Sequence, residues 1–167
     1  MLINVRNLAD LGKDAYSNVN EEFTFNENIT IDYGDTLIPC DLGITGKVCR
    51  ADYDYILDCK VKAVLKLNCD LCLSLFETEL NFTMNEVFSE KADFDNEFWE
   101  LSNKIIDLKP AVIANIVLNM PMQIHCSNEC KGLCLKCGHN MNDGDCGCDT
   151  SNINPQFEEL LTLFKDD

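Results

Sequence analysis

The segment CSNECKGLCLKCGHNMNDGDCGC, residues 126–148, carries six cysteines in 23 positions. Thiols this dense admit four uses: disulfides, a redox relay, a catalytic centre or a metal cage. The chain has eleven cysteines, an odd number. Its start, MLINVRNLADLGKDAY, shows no apolar stretch after a basic beginning, so no signal peptide is expected. A disulfide scaffold fits poorly with such a chain, because cytosolic thiols stay reduced. Cysteines at short spacings then point to a metal.

Period-two patterning removes some of the eleven from that role. In PCDLGITGKV, Cys40, Leu42, Ile44, Gly46 and Val48 alternate with Asp41, Gly43, Thr45 and Lys47, which predicts a half-buried strand. Next, Tyr55, Leu57, Cys59, Val61, Ala63, Leu65 and Leu67 line one face of a second strand. FETELNFTM alternates again, with Phe76, Leu80, Phe82 and Met84 on the apolar side. With Cys69 opposite Cys72 and Asp70-Leu71 as the loop, the last two strands pair with apolar residues facing apolar residues and Lys62 facing Glu79. Asp-Leu is a poor hairpin pair, so something else is expected to hold that tip. Weaker strand signals lie at residues 2–8, in EFTF and in ITIDY. Cys40 and Cys59 therefore read as small core residues. Cys49 has no partner in sequence.

Eight cysteines remain, twice the four ligands of a structural zinc site. CLKCG, residues 134–138, lets two sulfurs reach one ion from a tight turn, and CGC follows across an Asn-, Asp- and Gly-rich stretch. Cys134, Cys137, Cys146 and Cys148 are the expected ligands of a first zinc. Cys69, Cys72, Cys126 and Cys130 would hold a second, joining the hairpin tip to a distant segment and explaining its turn residues. His125 and His139 stand beside these sets and read as neighbours rather than ligands. One zinc is expected, with a second where the other four thiols close.

Catalysis is not expected. There is no H-E-x-x-H and no phosphate-binding glycine loop, and Cys69-x-x-Cys72 is expected at a hairpin tip rather than at the helix N-terminus that redox chemistry typically uses. A net charge of −16 disfavours phosphate-backbone binding and favours basic protein partners. The longest apolar-rich run, residues 111–122, is too short to span a bilayer, which needs about 20 residues. The chain reads as soluble and cytoplasmic, with no membrane role and no small-molecule substrate.

Residues 86–100, EVFSEKADFDNEFWE, hold six acids and one base and read as an acidic loop. DLKPAVIANIVLNMPM predicts a largely buried helix over 107–120, with Asp107 as cap, Pro110 in the first turn and Pro121 as the stop. NPQFEELLTLF predicts a short amphipathic terminal helix, Asn154 capping it and Phe157, Leu160, Leu161 and Phe164 on one face.

CDLCL after a β segment, LNMPM at the end of a helix, CSNECKGLCLKCGHNMN with CGC, and NPQFEELLTL together resemble the large ribosomal RNA subunit accumulation protein family, the YceD-like proteins. The resemblance runs from about residue 38 to the C-terminus and is most specific in CKGLC and in CG followed by N-x-N. Leu135 stands where the family commonly has proline, and NPQ stands for DPR. The resemblance implies a part in large-subunit ribosome biogenesis, through processing or accumulation of the large ribosomal RNA, and supplies no mechanism, since no enzymatic activity is established for the family.

The expected architecture is α+β. An antiparallel β-rich body, residues 1–125, carries the acidic loop 86–100 and the buried helix 107–120, and a zinc module with a terminal helix occupies 126–167. The expected role is that of a non-enzymatic assembly factor contacting a basic ribosomal or assembly protein. The rivals are a direct rRNA-binding module using Lys131 and Lys136 and a thiol redox sensor that releases zinc.

Overall fold

The computed structural model of the chain describes residues 1–9, 21–34, 36–51, 53–89 and 98–148. These fall into two compact units. The first comprises Met1–Leu67 and Glu77–Met122; the second comprises Asn68–Phe76 and the chain from Gln123 onward.

The first unit is mainly β. A short strand β1 (Leu2–Asn4) precedes one helical turn, α1 (Arg6–Ala9). Residues 2–8 thus do not form one strand. Asn4 Oδ1 accepts the Arg6 N–H at 3.1 Å, a local turn that ends the strand and starts the helix. Three long strands follow: β2 (Glu21–Tyr33), β3 (Thr36–Ala51) and β4 (Asp54–Asn68). They pair antiparallel, with Phe25 opposite Ile44 and Ile44 opposite Val61. Strand β5 (Leu75–Ser89) lies beside β4, and β6 (Trp99–Glu100) runs parallel to the end of β5, giving the order β2-β3-β4-β5-β6. Strand β7 (Ile105–Asp107) pairs antiparallel with β1 as a separate two-stranded sheet.

Alternation decides what is buried. All seven inward residues of β4, from Tyr55 to Leu67, are buried, as are Cys40, Leu42, Ile44 and Val48 of β3. The outward face carries Lys62, paired with Glu79 at 2.8 Å, and Lys66, paired with Glu77 at 3.4 Å. On β5 only Met84, Phe88 and Ser89 are buried, while Phe76, Leu80 and Phe82 are half-buried.

Both ends of the segment read as an acidic loop are strand, and residues 90–97 lie outside the described residues. Glu86, Val87, Phe88 and Ser89 continue β5, and Trp99 and Glu100 form β6. Glu86 uses both carboxylate oxygens, accepting from Trp99 Nε1 and from Asn115 Nδ2. A charge that is hydrogen-bonded in this way can sit inside a strand.

Helix α2 (Lys109–Asn119) occupies the predicted position, but only one side of it is buried: Ala111, Val112 and Ile116 are covered, whereas Leu118 is 81% exposed. Leu108 takes the cap position, and Asp107 Oδ1 accepts the Lys109 N–H at 3.1 Å. Met120, held extended before Pro121, ends the helix. The amphipathic helix expected near the C-terminus lies outside the described residues. No helix among the described residues is long and apolar enough to cross a membrane.

Candidate metal centres

The second unit contains all eight candidate ligands. Its first part is the tip of the β4–β5 hairpin. Cys69 N–H donates to Ser74 O at 3.0 Å, and Leu73 N–H donates back to Cys69 O at 2.9 Å. Ser74, not Cys72, therefore meets Cys69 across the hairpin, and the loop is four residues long rather than two. The change of two positions keeps every side chain on its expected face, because a strand repeats every two residues. Leu73 adopts a left-handed φ of 59°, which the wider loop requires. Both cysteines of the tip end up buried.

Asp70 ties a distant segment to this tip. Its N–H donates to Ile124 O at 2.8 Å, and its Oδ2 accepts the Ile124 N–H at 2.8 Å. Cys126 lies two residues further on. Its Sγ is 3.6 Å from Cys72 Sγ, and Cys130 Sγ is 3.8 Å from Cys69 Sγ. All four sulfurs lie within 4.8 Å of one another.

The second group is built on CLKCG. Gly138 N–H donates to Cys134 O at 2.8 Å, and Cys134 N–H donates to His139 O at 2.8 Å, closing a knuckle. Gly138 has a φ of 72°, a conformation that glycine adopts without strain. The sulfurs of Cys134, Cys137, Cys146 and Cys148 again lie within 4.8 Å of one another.

These separations test the sites for size. A thiolate sulfur sits about 2.3 Å from a tetrahedral zinc, which sets the edges of the tetrahedron at about 3.8 Å. Disulfide sulfurs would stand about 2.05 Å apart. The observed 3.6 and 3.8 Å match a cage around one ion, and every cysteine is free. Each group could hold a metal ion. The structure thus brings together the same two sets of four that the spacing suggests. His125 and His139 are exposed and join neither group.

Hydrogen bonds prepare the thiols unequally. Burial pushes the Cys69 thiol up, but the backbone N–H groups of Cys72, Cys126 and Leu71 outweigh it and bring the group down to about 6. Cys134 is held at about 6 by the N–H groups of Cys137 and Lys136 and by the Cys146 side chain. Ser74, through hydroxyl and backbone, lowers Cys72. Competition with Cys130 raises Cys126 to about 12, and competition with Cys137 raises Cys148 to about 12. Each cage therefore has at least one thiol that ionises easily and another that holds its proton more tightly than a free thiol does.

The three other cysteines lie elsewhere. Cys40 and Cys59 are core residues. Burial, with Asp41 nearby, pushes Cys40 up to about 11; burial, with Asp58 and Glu86, pushes Cys59 up to about 12. Cys49 Sγ is 3.6 Å from Ile56 O.

Sequence reasoning missed the asparagines. Asn142 Nδ2 donates to Cys130 Sγ at 3.3 Å, its Oδ1 accepts the Lys131 N–H at 2.9 Å, and Asn140 Nδ2 donates to Ser74 Oγ at 3.2 Å. The N-x-N motif was the one available signal, and spacing alone does not say which sulfur it reaches.

The model of the large ribosomal RNA subunit accumulation protein YceD matches residues 57–164. The chain belongs to that family. The match covers both thiol groups of this YceD-family chain and the hairpin that carries one of them. Comparison with curated proteins and with solved structures yields no match.

Proposed function

We propose that this YceD-family chain is a non-enzymatic assembly factor. It supports processing and accumulation of large-subunit ribosomal RNA in the cytoplasm, and each of its thiol groups holds a structural zinc. The observation that carries this reading is the pair of closed four-sulfur groups in a chain of this family. Four thiolates fill every position around a tetrahedral ion and leave none for water or substrate, which suits a structural role. An all-sulfur tetrahedral set favours zinc over the hard cations that prefer oxygen. Zinc would supply cross-linking here. The knuckle backbones and Asp70 hold the sulfurs at the required separations.

The charge supports a protein partner. At −16, the chain has a field that attracts basic proteins, and a zinc bound by four thiolates adds further negative charge. A basic ribosomal or assembly protein fits that field better than a phosphate backbone does.

Deletion of the gene should lower the ratio of large to small subunits in sucrose gradients and let precursors of the large ribosomal RNA build up. Normal gradients and normal RNA would sink the reading. Purified protein should bind basic ribosomal proteins in preference to rRNA. Affinity for rRNA that collapses with salt would instead favour direct contact through the exposed Lys131 and Lys136.

A further inference from the structure

The two thiol groups are not independent neighbours. The loop that closes the CLKCG group, residues 138–145, reaches the hairpin-tip group at two points. Asn142 places its carboxamide against Cys130, and Asn140 places its own against Ser74, two residues after Cys72. The Asn142 carboxamide is fully used. One N–H points at Cys130 Sγ and the other at Asn140 Oδ1 at 2.8 Å, while the oxygen accepts from Lys131 N–H. The backbone between the groups is joined as well. Met141 N–H donates to Gly132 O at 2.9 Å, and Leu133 N–H donates to Leu71 O at 3.1 Å. Gly132 is buried, and a Cβ there would stand 3.2 Å from Leu71 O.

We propose that Asn142 is a positioning residue that couples the two cages, so that filling the Cys134, Cys137, Cys146 and Cys148 cage strengthens metal binding by the Cys69, Cys72, Cys126 and Cys130 cage. The proposal rests on the metal reading above. Its physical basis is direct. The loop 138–145 takes its shape from the sulfurs at each end of it, Cys137 and Cys146. An ion in that cage fixes the loop and with it the N–H that stabilises the Cys130 thiolate. Hydrogen bonds to a ligand from outside the coordination sphere typically change metal affinity by about 10–100-fold. Linkage makes the effect mutual, so an ion in either cage favours the other.

The test uses cobalt(II) as the probe, with its sulfur-to-cobalt absorption as the readout, on the full chain. In Cys137→Ser only the hairpin-tip cage keeps four thiols; in Cys72→Ser only the CLKCG cage does. The hairpin-tip cage should bind cobalt about tenfold or more weakly in Cys137→Ser than in the wild type. The same comparison in an Asn142→Ala background should show a change within about twofold. Asn142→Asp keeps the side-chain shape and the contact to Lys131 N–H but loses the donor to sulfur. It should weaken the hairpin-tip cage with all eight thiols present, and leave the other cage unchanged in a Cys72→Ser background. Should Asn142→Ala disturb the loop, the Asn142→Asp comparison decides alone. Equal cobalt affinity of the hairpin-tip cage with and without Cys137, or in Asn142→Asp and wild type, overturns the coupling and leaves the metal reading standing. Absence of any sulfur-to-cobalt band in the wild type overturns the metal reading, and the coupling falls with it.

Discussion

The indole N–H of Trp99 donates to Glu86 Oε2 at 2.8 Å. The other oxygen of Glu86 accepts from Asn115 of helix α2, and the Trp99 ring stacks on Phe88 with centroids 6.5 Å apart. One carboxylate thus links β5, β6 and α2. Glu86→Ala leaves both donors short of a partner, and hydrogen bonds to charged groups are worth about 1.5–3 kcal/mol each. Urea unfolding should show a loss of about 2–4 kcal/mol, and Trp99→Phe combined with Glu86→Ala should cost less than the two separate losses. Additive losses would show that the pair is not coupled.

Gly46 sits opposite Cys59 on the packed face of the sheet. A Cβ at this position would stand 2.7 Å from Asp58 O and 2.8 Å from Cys59 Sγ. Backbone in the middle of a sheet cannot move aside easily, so Gly46→Ala should cost about 1–3 kcal/mol. Gly43, on the outward face, offers a control. Its nearest neighbour would be the Asn26 side chain at 3.4 Å, so Gly43→Ala should stay within about 0.5 kcal/mol of the parent. Equal effects at the two positions in the same unfolding assay would refute this account of Gly46.

Both glycines also show how much of the body was legible. Residues 55–67 declare a strand because every second side chain is apolar, and all seven of those residues are buried. Strand β2 was harder. Glu27 interrupts its inward row between Phe25 and Ile29, so the sequence looks like two short strands. The Glu27 carboxylate lies 3.9 Å from the N-terminal ammonium of Met1, a contact from 26 positions away that no local pattern encodes. Helix α2 looked largely buried because composition does not say which side faces water. Cysteine spacing was enough to sort eight thiols into two sets. It carried no information about Asn142, whose partner is a sulfur twelve residues earlier.

Cys40 and Cys59 make an alkaline prediction. An unfolded thiol titrates near 9.0, whereas these two are pushed up to about 11 and about 12 by burial. Their protons are retained in the folded chain at pH values where the unfolded chain gives them up. Stability is therefore fully present below about pH 9 and falls as pH rises through 11 and 12. The urea midpoint should drop more steeply between pH 8 and pH 10.5 in the parent than in Cys40→Ala/Cys59→Ala. Both thiols should also resist alkylation at neutral pH until the chain unfolds. Rapid labelling of Cys59 in the folded protein would contradict its place in the core.

Metal retention should depend on acid in a direction fixed by the thiols. Cys126 and Cys148, at about 12, carry protons at neutral pH in the absence of an ion, so binding expels at least one proton per cage. Affinity should then rise with pH across the neutral range. Cys69 and Cys134 lie at about 6 and are already ionised at pH 7. Below about pH 6 they take up protons too, and each cage must expel one more to bind, so the loss of metal should steepen there. Zinc competition against a chelating dye, at intervals from pH 8 to pH 5, measures this directly. Elemental analysis should find two ions per chain in the parent, one in Cys69→Ser and one in Cys137→Ser. Removing both ions should cost the second unit its structure while the β sheet keeps its strand signal in circular dichroism, because the first unit contains none of the eight thiols. An affinity that does not change with pH would mean that the sulfurs are not the ligands.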